Sequence, residues 1–171
     1  MGQYWKVVNL DKKEFVMPHK LGCGLKLWEQ LANHPGTGAA LVILCAAMPR
    51  PRGGGDFDLD ENWHGEERVF PRDNVQPGPM PDEYPAIAAR TIGRWAGDRI
   101  ALVGDYAEDS DLASEHQAST IYPRCHEYEE GEEKPEGDLF TDVSGDVAAV
   151  IEHELNGKYS GTGWRKWKRA S

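Results

Sequence analysis

Cysteine is scarce in this chain of 171 residues: Cys23, Cys45 and Cys125 are far apart, and no CxxC pair occurs. An odd, dispersed set of this kind argues against a disulfide framework and against a structural zinc ribbon. Free cysteines are typical of a reducing compartment, so the sequence predicts a cytoplasmic protein.

Long apolar segments are also lacking. The longest apolar run, residues 39–48, is too short to cross a bilayer, and no charged-then-apolar signal segment opens the chain. The start Met1-Gly2 invites a myristoylation interpretation, but Lys6 stands where serine or threonine is required. We therefore predict no membrane partner.

Complete catalytic motifs are missing as well. The sequence contains no HExxH helix, no GxSxG elbow and no P-loop, and Gly22-x-Gly24 lacks the third glycine of a dinucleotide site. Cys23, between those glycines, is a faint candidate nucleophile. These absences identify no cofactor and leave open whether the protein is an enzyme.

Negative charge is present in excess and is concentrated in one region. The net charge is −10, and residues 105–138 hold twelve acidic and two basic residues. An acidic chain gains nothing from phosphate attraction, so nucleic acid is a possible partner only through the basic tail, residues 158–171. Trp164 and Trp167 lie between the basic residues of that tail and suit stacking on bases. The tail could equally fold back onto the chain's own acidic residues.

Strand-forming residues occur in short runs. Residues 4–10 and 15–17, joined by a polar turn, predict a β-hairpin. Residues 100–103 form an apolar run between two Gly-Asp turns, which predicts a buried strand at the centre of the structure. Residues 121–122 and 139–143 are further short strand candidates.

Helical spacing of apolar residues predicts the remaining elements of the fold. We predict helices over residues 21–33, over 39–48 with Thr37 as N-cap, from Pro85 with Ile92 and Trp95 on its apolar face, and from an N-capping Ser144 to Gly157. The polar residues 107–120 have room for one weak helical turn.

These elements neither alternate strictly nor segregate. We predict an α+β fold, a small mixed β-sheet opened by an N-terminal hairpin and packed by three to four helices. Residues 1–157 form a single domain in this prediction, with a long Pro/Gly-rich loop at 49–85 and an acidic loop at 127–137. The basic, Trp-containing tail follows at 158–171.

Three segments together carry a resemblance. They are Met1-Gly-Gln-Tyr-Trp5 with Val8-Asn-Leu-Asp-Lys12, then His19-Lys-Leu-Gly22, then Trp95-Ala-Gly-Asp-Arg-Ile100 with Gly104-Asp-Tyr106. The combination resembles a group of small uncharacterised proteins of bacteria, their phages and some fungi. The resemblance implies a set of positions in the hairpin and the 100–103 strand, and it implies no chemistry.

Ionisable residues bracket the 100–103 strand. Asp98 and Arg99 precede it and Asp105 follows it. Loops at strand ends often carry binding residues, so we predict a ligand site where Asp98, Arg99 and Asp105 meet the loop of His19 and Lys20. The ordinary alternative for Asp98 is to accept hydrogen bonds within its own turn. Asp98 and Asp105 are seven residues apart on a strand, too far to share one metal ion.

No metal site is predicted. Residues 56–67 copy part of an EF-hand loop, but Glu61 replaces the required glycine, which favours a solvated turn. The pairs His19 with Cys23 and Cys125 with His126 would form a zinc site only if the fold brought them together.

The hypothesis that follows is a binding or regulatory protein that recognises a partner protein or a polar small ligand. A first alternative is a hydrolase or transferase for a phosphorylated or nucleotide-like substrate. It would use Asp98 or Asp105 as base, His19 as acid–base group, and Arg99 or Lys20 as anion contact. A second alternative is a nucleic-acid accessory protein that acts through residues 158–171.

Overall fold

The computed structural model describes residues 3–21, 27, 36–47, 83–113 and 115–155. Their elements are, in chain order, β1 (Trp5–Asn9), β2 (Glu14–Val16), α1 (Pro18–Leu21), α2 (Thr37–Cys45), α3 (Tyr84–Thr91), β3 (Ile100–Gly104), a 3₁₀ turn (Asp109–Asp111), α4 (Ala118–Arg124), β4 (Thr141–Asp142) and α5 (Ser144–Leu155). The fold is α+β with a small mixed sheet, as predicted. None of the helices in these ranges combines the length and the apolar character needed to cross a membrane.

The sheet has the strand order β3-β1-β2-β4 within the described residues. β1 is antiparallel to both neighbours, with Val8 opposite Phe15 of β2 and opposite Ala101 of β3. β2 pairs with β4 in parallel, with Phe15 opposite Asp142. The predicted hairpin and the strand candidate at 139–143 are thereby confirmed.

The strand at 100–103 forms, but its predicted central position is wrong. β1 has a partner on each side, whereas β3 lies at an edge of the sheet as far as the structure is described. Leu102 of β3 is accordingly 44% exposed. The apolar run of β3 is explained by Ala101 and Val103, which face the core.

Alternating residues divide the core into two clusters, one on each face of the sheet. Val7 and Val16 face a larger cluster built with α1, α2, α3 and α5. Val8 and Phe15, their immediate neighbours, face a smaller cluster built with α4 and Phe140. The sheet is therefore covered by helices on one face and by α4 with its following loop on the other.

A buried carboxylate joins β2 to the segment after α3. Glu14 is 6% exposed, and its Oε1 and Oε2 accept hydrogen bonds from Arg94 Nη2 at 2.5 Å and Arg94 Nε at 2.8 Å. Trp95 Nε1 donates a further bond to Glu14 Oε2 at 2.8 Å. Burial opposes ionisation of Glu14, but these donors outweigh it and lower its pKa.

Several helix predictions need correction. Residues 121–122 are not a strand, because they belong to α4, where Ala118, Ile121 and Cys125 recur at helical spacing and are buried. Thr37 is the first residue of α2 rather than its N-cap, which is Gly36. The hydroxyl of Thr37 is buried without a hydrogen-bond partner among the described residues.

The remaining helix predictions are largely confirmed. The 39–48 run is helical as far as Cys45, as part of α2, and the 107–120 segment holds the 3₁₀ turn. α3 has a proline in its first turn but ends at Thr91, so Ile92 is its C-cap and Trp95 lies in the turn that follows rather than on the helix as predicted. α5 begins at Ser144, which is therefore its first helical residue rather than its predicted N-cap. Ser144 Oγ accepts a hydrogen bond from Met17 N at 2.7 Å, and Asp142 Oδ1 accepts one from Ser144 N at 2.8 Å. The predicted end at Gly157 lies outside the described residues. Helix formation begins at Pro18 with α1, and most of the predicted 21–33 helix lies outside the described residues.

Candidate functional site

Two of the predicted site residues, Asp98 and Arg99, contact the turn of the hairpin. Asp98 Oδ2 accepts a hydrogen bond from Asn9 Nδ2 at 2.7 Å and forms an ion pair with Lys12 Nζ. Arg99 Nε donates to Asp11 Oδ1 at 2.8 Å, and Arg99 Nη1 donates to Glu115 Oε1 at 2.7 Å. Both side chains therefore hold the hairpin turn, and we call this region the hairpin end.

These contacts set the ionisation of the hairpin end. Hydrogen bonds from Lys12 and then from Asn9 lower the pKa of Asp98. Hydrogen bonds from the backbone and side chain of Arg99 lower the pKa of Asp11. Stable ionisation of this kind suits a structural carboxylate better than a general base, which works best with a pKa near the operating pH.

Asp105 lies at the opposite end of β3. Its Oδ1 accepts a hydrogen bond from Tyr4 N at 3.2 Å, and its own N–H donates to Tyr4 O at 3.0 Å. Seven residues of extended chain correspond to roughly 23 Å. Asp98 and Asp105 therefore cannot act on one small ligand together.

The two residues predicted on the loop after the hairpin, His19 and Lys20, lie in α1. Lys20 Nζ pairs with Glu127 Oε1 and with Asp142 Oδ2, each at 2.8 Å. Partial burial works against the charge of Lys20, but these two carboxylates raise its pKa. His19 packs on Tyr4, with 5.4 Å between the ring centroids, at the Asp105 end of β1.

The structure therefore separates the five predicted residues. Asp98 and Arg99 share the hairpin end, whereas Asp105 and His19 both lie near Tyr4 at the other end of β1, and Lys20 bridges two acidic residues. Among the combinations proposed for a catalytic site, those that join Asp98 or Arg99 to His19 are not assembled. Asp105 and His19, with Lys20 next in the chain, do lie toward one end of β1, but Lys20 is paired with Glu127 and Asp142. A ligand-binding role for each residue stays a prediction.

A cleft of about 340 Å³ opens beside His19. Its inner wall is formed by Trp5 and Lys6 at the start of β1, by Met17 after β2, and by His19 of α1. Alternation along β1 places Lys6 on the same face as Val8, above the smaller core cluster.

The outer wall of this cleft comes from a distant part of the chain. α4 contributes Tyr122 and Pro123, and the loop after it contributes His126 and Tyr128. Tyr128 Oη donates a hydrogen bond to Pro123 O at 2.8 Å, and its ring meets His126 edge-on at 5.0 Å between centroids. We call the space between the two walls the aromatic cleft.

Lys6 is the charged group inside the aromatic cleft. It is 5% exposed and donates a hydrogen bond to Cys125 O, while Nζ lies 4.4 Å from the centroid of the Tyr122 ring and 5.3 Å from that of Phe15. Desolvation by burial lowers the pKa of Lys6, against weaker opposing contributions from Cys125 and Asp142. A cation over two ring faces is a stabilising arrangement, but no carboxylate of the described residues pairs with this positive charge.

The same desolvation affects Tyr122, which lines the aromatic cleft, and Cys125, which is fully buried at the end of α4. Burial raises the pKa of Tyr122 to about 12 and that of Cys125 to about 12. Both groups stay protonated at neutral pH, so the Cys125 thiol is neither a nucleophile nor a ready metal ligand.

A metal site is not supported by the described residues, in which no group of three or more His, Cys, Asp and Glu side chains is placed to hold an ion. The fold does bring His19 and His126 to one cleft, which meets part of the condition for the zinc site. Cys23, the EF-hand-like residues 56–67 and the basic tail lie outside the described residues.

Sequence reasoning missed most of the aromatic cleft. Lys6 carried a detectable signal, because alternation in the predicted first strand puts it on the same face as Val8. Tyr122 was missed because residues 121–122 were interpreted as a strand. Tyr128 and Trp5 line the same cleft only through long-range packing, for which the sequence has no local signal.

Comparison with known proteins adds no family to this picture. A scan against protein-family models found no match to the chain, and searches of curated proteins and of solved structures found none either.

Proposed function

We propose that this protein is a binding protein whose ligand is a small planar molecule held in the aromatic cleft. The observation that carries the proposal is the lining of the cleft: Trp5, Tyr122 and Tyr128 with the two histidine rings of His19 and His126. Rings from both walls offer stacking surfaces to a flat ligand.

The size and the lining of the aromatic cleft support this proposal. Small-molecule sites span about 300–1,000 Å³ and combine apolar walls with a few polar groups, so about 340 Å³ suits a ligand of one or two fused rings. The imidazoles of His19 and His126 and the hydroxyl of Tyr122 supply polar groups along those walls. The hairpin end offers no such combination, because its charged side chains bind one another.

The position of the aromatic cleft also supports a ligand role. It lies between β1 and the segment that includes α4, and these parts of the chain are joined there by the hydrogen bond from Lys6 to Cys125 O. Histidine–tyrosine contacts on each wall, His19 with Tyr4 and His126 with Tyr128, hold the rings at the rim.

The test is a titration with indole-3-acetamide, a neutral planar probe, followed by the indole N–H signal of Trp5 in ¹H–¹⁵N spectra. We expect saturable shifts of Trp5 at millimolar probe and an increase in the thermal midpoint, since a ligand of the native state stabilises it. Tyr122→Leu and Tyr128→Leu should each weaken binding several-fold, by loss of aromatic contact.

The matched control is Tyr106→Leu, because Tyr106 is 66% exposed and does not line the aromatic cleft. It should bind the probe like wild type. Absence of saturable Trp5 shifts in wild type, or equal weakening by Tyr106→Leu and both cleft variants, would contradict the proposal.

A further inference from the structure

We infer that the ligand of the aromatic cleft is an anion and that its negatively charged group pairs with the ammonium of Lys6. This inference rests on the proposed function, because it names the chemical class of the molecule that the cleft binds. The shared chemistry is a planar ring system that carries a carboxylate or a phosphate group.

The pairing of the lysines is the first observation. Lys12, Lys13 and Lys20 have side chains that are 41%, 50% and 38% exposed, and each has a carboxylate partner. Lys6 is far more buried, yet in the described part of the chain its Nζ contacts only Cys125 O and two ring faces. Of these four lysines, the most buried one is the one without a carboxylate partner among the described residues.

The cost of this arrangement is the second observation. An ammonium has three N–H donors, and a buried charge is unfavourable unless it is paired and hydrogen-bonded. Phe15 and Tyr122 offer ring faces rather than acceptor atoms, so one carbonyl oxygen is the acceptor that the described residues give Lys6. An anionic group in the aromatic cleft would accept from the remaining donors and neutralise the charge.

The acidic residues around the aromatic cleft do not take this role. Asp142 favours the charged form of Lys6 from a distance, but its Oδ2 is already bound to Lys20 Nζ at 2.8 Å. Glu127 is bound to the same lysine at 2.8 Å. Asp105 accepts from Tyr4 N. Lys20 therefore offsets negative charge near the cleft and leaves Lys6 as the charged group that faces a ligand.

A cationic ligand is disfavoured by the same geometry. Aromatic cages bind quaternary ammonium groups through ring faces alone, whereas here Lys6 Nζ already occupies the face of Tyr122 at 4.4 Å. A second cation would meet a like charge in a desolvated space.

The test compares matched probes that differ in charge. Indole-3-acetate is compared with indole-3-acetamide for a carboxylate, and phenyl phosphate with phenol for a phosphate, by titration of the Trp5 indole signal. We expect wild type to bind at least one anion about tenfold more tightly than its neutral partner, the gain of a charge-assisted hydrogen bond. The pair that shows the preference identifies the anionic group.

Two variants with the same charge change locate the effect. Lys6→Met should reduce the anion preference to less than about twofold, while Lys134→Met in the exposed acidic loop should keep it. The ¹³Cε signal of Lys6 in wild type should move with the anion and not with the neutral probe, which tests the pairing even if Lys6→Met does not fold.

The outcomes separate this inference from the proposed function. Equal binding of anionic and neutral probes, or a preference that survives Lys6→Met, overturns the inference and leaves the aromatic cleft as a ligand site. Failure of every probe to shift Trp5 overturns both.

Discussion

The two ends of β1 differ in whether their charged side chains have partners of opposite charge. At the hairpin end, Asp11 and Asp98 are paired with Arg99 and Lys12, although these side chains reach solvent. At the other end, Lys6 is buried among rings and has no carboxylate partner within the described residues. The ion pairs of the hairpin end stabilise the turn, whereas the charge of Lys6 can still pair with a ligand.

This comparison predicts that removing charge is damaging beside the hairpin end. Glu14 lies opposite Asn9 in the β1–β2 pairing and binds both Arg94 and Trp95. Glu14→Gln should lower the free energy of unfolding by about 3 kcal/mol, since it leaves a partly buried guanidinium without its counterion. Urea unfolding measures the loss, and Glu136→Gln in the exposed acidic loop is the control with little expected effect.

The pH dependence of the Glu14 effect has a defined sign. The folded-state pKa of Glu14 is lowered from 4.5, so its contribution is complete above about pH 4.5 and is lost as the pH falls through the folded-state pKa. The stability difference between wild type and Glu14→Gln should therefore shrink on acidification below pH 4.5. A difference that stays constant across that range would show that the charge of Glu14 is not the cause.

A smaller effect is expected when a neutral residue of the hairpin end is changed. Asn9 is fully buried; its Oδ1 accepts from Asp11 N at 3.0 Å and from Lys12 N at 2.9 Å, and its Nδ2 donates to Asp98. Asn9→Ala should cost about 2 kcal/mol in unfolding free energy, because two turn amides and one carboxylate lose their partner.

The matched variant for Asn9→Ala is Lys12→Met, which removes only the exposed ion pair with Asp98. It should cost less than Asn9→Ala, since exposed pairs contribute little. If Lys12→Met lowered the unfolding free energy as much as Asn9→Ala, Asn9 would not be the main stabilising residue of the turn.

The smallest effect is expected at the aromatic cleft. Lys6→Met should leave the unfolding free energy within about 1 kcal/mol of wild type, since loss of the bond to Cys125 O is offset by removal of an unpaired buried charge. A loss comparable to that of Glu14→Gln would erase the contrast between the two ends of β1.

Alkaline titration sharpens this last comparison. Burial lowers the pKa of Lys6 from 10.5, so between the folded-state pKa and 10.5 the unfolded chain binds more protons than the native protein. The stability of wild type relative to Lys6→Met should therefore rise with pH in that window. In the native protein Tyr122 and Cys125 stay protonated from pH 7 to pH 10, because burial raises the pKa of each to about 12. In the unfolded chain they titrate alike in both variants, so the difference measured by urea unfolding over this range reports on Lys6.

The elements with local patterns were predictable from the sequence. The hairpin follows from strand formers on both sides of a polar turn, and α5 follows from Val147, Val150 and Ile151 on one helical face. The position of β3 in the sheet was not predictable, because strand order depends on which distant segments pair, and an apolar run is compatible with an edge as well as a centre.

The candidate site was harder to predict than the fold. Asp98 and Arg99 are predicted as site residues because they are charged and lie next to the start of a strand. Their partners Asn9 and Asp11 are almost ninety positions away, so the sequence does not reveal these contacts. His19 is the predicted residue that does line the aromatic cleft. Its neighbours Tyr122 and Tyr128 reach it only through packing across more than one hundred positions of sequence.

The strand order also determines when, during synthesis, both edges of the hairpin become paired and protected from aggregation. β1 pairs with residues 100–104 and β2 with residues 141–142, so neither edge of the hairpin can pair with its final neighbour until that segment has been synthesised. An isolated hairpin is marginally stable, and pairing over such separations folds slowly. At a synthesis rate of about 5–20 residues per second, β4 is made roughly 6–25 s after the hairpin. During that interval, the unpaired backbone groups along the edges of β1 and β2 can pair with a strand of another chain.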